Sequence, residues 1–190
     1  MANSGFDIVL DELTLSGARR GDMDARERIY RLYQQPAYTV AVRICRCREL
    51  AQEVTQEAFI SAFRRIRQFR GEAPFWGWLR RVVVNHAISA LRRQPSVEVV
   101  AFEDYQAWQQ GQQEQIGAAM DLDAALGQLP DDDRIIVWLH DVEGYKHSEI
   151  ASLFGKTESF SKTRLVRARA RLRDLIDTAA GKDMENAYAQ

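Results

Sequence analysis

VTQEAFISAFRRIRQFRGEAPFWGWLRRVVVNHAISALRR, residues 54–93, decides the fold. Two runs in it, 54 to 66 and 75 to 91, repeat apolar side chains at helical spacing. They meet at Arg70-Gly71-Glu72-Ala73-Pro74, a breaker sequence. Between Arg64 and Arg93 stand eight arginines and one acid, Glu72, and the arginines flank Phe69, Phe75, Trp76 and Trp78. Cations for phosphates and flat rings for unstacked bases are what single-stranded nucleic acid requires of a protein surface. The aromatics could equally be core and the arginines a solvated face; this stretch alone leaves both readings open.

With 190 residues and 46% hydrophobic content, the chain can pack one large domain or two small ones and is too apolar to be disordered. A net charge of -1 hides segregation, because Asp121, Asp123 and Asp131-Asp132-Asp133 lie far from the arginines. Cys45 and Cys47 form a CxC on a predicted helix and point to different faces. No His or further Cys stands close enough in sequence to complete a zinc pattern, so no metal or other cofactor is expected. Reduced thiols fit a cytoplasmic chain. No signal peptide is visible, and no window approaches the roughly 18 apolar residues that spanning a bilayer needs. A cytoplasmic protein without membrane insertion is therefore expected. Three scattered histidines, with neither a nucleophile elbow nor a phosphate-binding glycine loop, give no support to an enzyme.

Upstream of the quoted stretch, residues 6 to 20 predict a short helix weakened by Gly17 and Gly21, and Asp22 caps a second from Met23. Pro36 is expected to break or kink that helix. A third runs from about Glu49 to Gln68, with acids in its first half and arginines in its second; the order suits its macrodipole, or else two surfaces on one rod. Downstream, from Gln94 to Gln115, glutamines with Pro95 and Gly111 read as a linker, although Val97, Phe102 and Trp108 are apolar enough to dock on something. A second helical domain follows. Pro130 and the three aspartates open a helix that Gly144 ends. Glu149-Ile150-Ala151, Phe154-Gly155, a turn and a basic helix to about Asp177 have helix-turn-helix spacing. Lys162, Arg164, Arg167, Arg169, Arg171 and Arg173 stand there without an acid, which suits DNA phosphates and base edges.

Taken together these residues resemble a bacterial sigma factor of the extracytoplasmic-function type. The motifs that carry the likeness are Thr55-Gln56-Glu57-Ala58-Phe59, Phe69-Arg70-Gly71-Glu72-Ala73, Trp78-Leu79 with Arg81 and Asn85, Leu129-Pro130, Gly144-Tyr145, Glu149-Ile150-Ala151 and Arg167-Ala168-Arg169. Each is weak alone; in this order and spacing they cover nearly the whole chain. The resemblance implies an all-α protein of two small helical domains joined by a flexible linker. The divisions would be an N-terminal helix over 1–21 joined to the first domain, a region 2 bundle over 22–94, a linker over 95–118, a region 4 helix-turn-helix over 119–178 and a flexible tail over 179–190. Core RNA polymerase would be held through Glu53, Gln56 and Glu57. Promoter DNA would be met at the -10 element by Phe69, Arg70, Trp78, Arg81 and Asn85, and at the -35 element by Ser159, Lys162, Thr163, Arg164 and Arg167.

The chain departs from the family in two places. Where the family's third helix opens on dense acid, this one has Leu50, Ala51, Gln52 and Glu53, with Arg46 and Arg48 just upstream. Such a patch predicts weak resting attraction to a basic partner. Thr55, between Glu53 and Glu57, would restore charge if a serine/threonine kinase phosphorylated it, which makes it a candidate switch. In the last helix, Ser161 stands where an aliphatic residue is expected and would weaken packing unless Phe160 fills the gap. Whether an anti-sigma protein holds the two domains is left open by the sequence. The alternative reading is a stand-alone helix-turn-helix regulator whose first half senses a ligand.

Overall fold

The structure is a computed structural model that describes residues 8–93 and 125–188, with side chains to 178. Every regular element among the described residues is helical. The chain divides into two compact units, 1–100 and 101–190. The expected linker, with Val97, Phe102 and Trp108, lies outside the described residues.

Among the described residues, four helices form the first unit: α1 (Glu12–Arg20), α2 (Met23–Cys45), α3 (Arg48–Arg65) and α4 (Phe75–Arg93). The carboxylate of Asp11 accepts from the Thr14 backbone N–H at 2.8 Å and that of Asp22 from Asp24 at 2.9 Å, so acids satisfy the orphan donors of α1 and α2. Between them Gly21 has φ 95°, a left-handed conformation that a side chain would strain. The core is built on small residues: Ala37, Ala41, Ala51, Ala58 and Ala87 are wholly buried and bring the backbones of α2, α3 and α4 close. Ile29, Tyr33, Ile44, Leu79, Val83 and Val84 fill the space between them.

Pro36 does not break α2, which runs unbroken from Met23 to Cys45. Proline removes one intrahelical hydrogen bond, but Tyr33 and Ala37 on either side are fully buried, and packing of that face holds the rod through the defect. The third helix is shorter than expected. It tightens into a 3-10 turn, Ile66–Gln68, before the loop at Phe69.

The second unit contains α5 (Asp131–Val137), which widens into a π turn over Trp138–Val142, then α6 (His147–Phe154) and α7 (Glu158–Tyr188). Residues 125–127 add a short helical turn before Pro130. Ile135, Ile136, Leu139, Ile150, Leu165 and Ala168 are its core. Gly155 takes φ 61°, and Lys156 N–H closes on the Ala151 carbonyl at 2.9 Å, ending α6 and turning the chain into α7. The backbone of α7 continues as helix to Tyr188.

Candidate nucleic-acid and polymerase interfaces

On α3, Glu53, Gln56 and Glu57 are exposed and share a face, since residues three and four apart on a helix are neighbours. Ile60 extends that face at the same spacing and is half exposed, an apolar patch beside the acids. Sequence reasoning passed over it because its neighbours in the apolar run, Ala58, Phe59 and Ala62, are buried. Leu50 turns inward, so only Gln52 thins the acidic surface here.

Thr55 is not on that surface. It is 5% exposed, and its hydroxyl donates to the Ala51 carbonyl at 2.7 Å. Helical geometry makes the correction intelligible: two residues along from Glu53, the chain has turned about halfway round the rod. A kinase cannot reach this hydroxyl while α3 is packed, and a phosphate there would have to be buried.

The loop between α3 and α4 has anchored ends and an open middle. Phe69 is buried and packs edge-on to Phe75 with ring centroids 5.3 Å apart, and it meets Trp78 at 5.7 Å. Tyr33 continues the stack, 5.3 Å from Phe75 and parallel to Trp76 at 6.1 Å. The two readings of the aromatics therefore separate by residue. Phe69, Phe75 and Trp76 are core, and only Trp78 has part of its ring surface open. Phe69, expected at the DNA, is a foundation of the loop and offers no free face for a base. Beyond it Arg70 is exposed 3.9 Å from Glu72, and Gly71 turns at φ 78°. Trp78, Arg81 and Asn85 follow one another along α4 at helical spacing, and Asn85 Nδ2 donates to the Arg81 carbonyl at 2.8 Å.

In the second unit Ser159, Lys162, Thr163 and Arg167 are exposed on α7. Lys162 pairs with Glu158 at 3.4 Å. Arg164 faces elsewhere: its guanidinium lies 2.9 Å from Asp133 and 3.9 Å from Asp132, and 5.3 Å from the Phe160 ring. It clamps α7 to the start of α5, a use that the aspartate triplet hinted at but linear distance concealed. Val166 is 69% exposed between Thr163 and Arg167, an apolar surface that sequence reasoning missed. Ser161 is wholly buried, and its Oγ hydrogen-bonds His147 Nδ1 at 2.9 Å. Phe160 packs on Phe154 with centroids 6.0 Å apart, so a polar pair and a ring together occupy the place of the missing aliphatic side chain. His147 also stacks on His140 at 4.5 Å, and burial, then the neighbouring His140, holds its pKa below the ordinary histidine value.

Cys45 and Cys47 are buried free thiols, and Arg46 between them is left-handed at φ 51°. No described helix is long and apolar enough to cross a membrane.

Residues 29–96 match Sigma-70 region 2 and residues 119–172 match Sigma-70, region 4. The ECF RNA polymerase sigma factor SigM of Mycobacterium tuberculosis is 32% identical over 156 residues, which is 82% of this chain and 79% of that one. The RNA polymerase sigma-H factor of Pseudomonas aeruginosa is 30% identical over 173 residues, 84% of this chain and 90% of that one. Among solved structures, the sigma factor RpoE from Bartonella quintana, in complex with the anti-sigma factor NepR, is similar in fold. It has a TM-score of 0.55 at 20% identity and covers 80% of this chain and 96% of that chain. The region 2 match counts against a ligand-sensing first half.

Proposed function

Because this chain belongs to the ECF RNA polymerase sigma factors, which direct transcription initiation, we propose that its two units divide promoter recognition between them. The first unit meets core polymerase through the Glu53, Gln56, Glu57 face of α3. It opens the -10 element at the Gly71 loop. Arg70, Trp78, Arg81 and Asn85 contact the displaced strand, and Phe69 supports the loop from beneath. The second unit places α7 in the major groove at the -35 element through Ser159, Lys162, Thr163 and Arg167. Polymerase carries out the chemistry in the cytoplasm, and this chain supplies address and strand opening. The Bartonella quintana relative's complex supports an anti-sigma protein as a further partner.

The observation that carries this reading is the Trp78, Arg81, Asn85 row beside an exposed turn pinned by buried rings. Extracting one base costs a few kcal/mol, and stacking with arginine contact offsets about 1–3 kcal/mol per base. The test is run-off transcription by core polymerase with the chain and a library of promoters. Arg81→Ala and Asn85→Ala should relax base preference at -10 and leave preference at -35 intact. Unchanged -10 preference in both variants overturns the assignment.

A further inference from the structure

Two of the chain's three histidines, His140 and His147, meet face to face in the second unit with ring centroids 4.5 Å apart. Three elements converge on them. His140 belongs to the π turn after α5, and His147 is the first residue of α6. His147 Nδ1 lies 2.9 Å from Oγ of Ser161, which is wholly buried on α7. Ser161 is within one turn of the exposed Ser159, Lys162 and Thr163. The pair thus braces, from behind, the surface that α7 offers to the -35 element.

Neutral rings suit this joint and an extra proton does not. Asp141 accepts from His140 Nδ1 at 2.7 Å; a carboxylate only accepts, so His140 carries its hydrogen there. In a neutral His147 ring, Nδ1 can take the Ser161 hydroxyl proton. In a protonated ring both nitrogens donate, and the buried hydroxyl must turn away. A cation on His147 faces His140 from the π turn, and Lys162, Glu158 and Arg169 from α7. Glu158 already pairs with Lys162 at 3.4 Å, and Asp141 with Arg169 at 3.0 Å, so these acids are committed to other cations. Burial first, then His140, holds His147 below the ordinary histidine value. The joint is therefore intact above about 6.5 and weakens as pH falls toward the lower value of the folded state.

We infer that the stacked histidines make the second unit's grip on the -35 element sensitive to acid: protons part α6 from α7 and the -35 contacts are lost, while the first unit keeps its own. The inference rests on the -35 reading above.

The experiment uses polymerase carrying the full chain, and compares a promoter with an intact -35 element to one with that element scrambled. The ratio of the two affinities cancels the pH response of polymerase itself. Between pH about 7.5 and about 5.5, a window that brackets histidine titration, the ratio should fall several-fold. His147→Gln, neutral throughout, should hold the ratio constant. His140→Gln should make the fall shallower, because the proton on His147 then faces one fewer ring; this variant decides the matter if circular dichroism shows His147→Gln to be unfolded. A ratio that ignores pH in the parent chain, or falls equally in a folded His147→Gln or in His140→Gln, overturns the joint and leaves the -35 reading standing. A ratio that rises with acid overturns it too and makes the rings phosphate contacts. If the scrambled promoter binds as well as the intact one at the higher pH, the -35 reading fails and the inference with it.

Discussion

Replacing Thr55 by glutamate should unfold the first unit instead of activating the protein. The side chain is 5% exposed and its hydroxyl is already spent on the Ala51 carbonyl. A carboxylate there must stay ionised in an apolar site or become neutral. Protonating a glutamate of ordinary pKa near 4.3 at pH 7 costs about 3.7 kcal/mol, taking about 1.36 kcal/mol per pH unit. The two extra side-chain atoms add an overpacking cost of about 1–3 kcal/mol. Together they approach the whole stability of a small domain, about 5–15 kcal/mol. Thr55→Val keeps the shape and loses only one satisfied hydrogen bond, a cost of about 1.5 kcal/mol or less. Urea unfolding of both variants, followed by capture of core polymerase, is the assay. Thr55→Val should fold and bind; Thr55→Glu should lose its cooperative transition and its binding. A Thr55→Glu protein that unfolds within about 1 kcal/mol of the parent, or binds polymerase more tightly, would refute the reasoning from burial.

The remaining expectations concern charges. Glu53→Lys with Glu57→Lys should slow association with core polymerase and alter its salt dependence, with the urea midpoint unmoved, as measured by stopped flow. Arg164→Ala should lower the stability of the second unit by roughly 0.5–1 kcal/mol, a figure reduced because its side chain is one-third open to solvent. Arg167→Ala should leave stability alone and cost about 1–3 kcal/mol of -35 affinity if it reads a base; urea melts beside DNA binding separate the two. His147 titrates below the ordinary histidine value. Below about 6.5 the unfolded chain therefore binds the proton first, and stability falls with falling pH until the folded value is passed. Proton NMR should place the His147 midpoint below that of an exposed histidine, and His147→Gln should flatten the stability profile of the second unit over that range.

Much of this was legible in the chain. Helical periodicity set α3, α4 and the helix-turn-helix to within a few residues, because each is amphipathic, whereas α1 begins only at Glu12, where Asp11 caps it, later than the expected start. Where reading failed, the deciding quantity was three-dimensional. Pro36 is tolerated because the face around it is packed. Thr55 looked like a neighbour of Glu53 and Glu57 because sequence order hides rotation about a helix. Arg164 counted as one of six cations on a basic run, yet its partners Asp132 and Asp133 lie some thirty positions upstream. Phe69 could not be sorted from Trp78 by composition, since ring type says nothing of which ring the packing covers.

Tyr33 stacks against Phe75 and Trp76, and its hydroxyl donates to the Ile8 carbonyl at 3.1 Å. The leading segment before α1 is thereby latched to the same ring stack that seats the Gly71 turn. Trimming that segment, or Tyr33→Phe, should slacken the turn's mooring and be felt as sluggish melting of the start site.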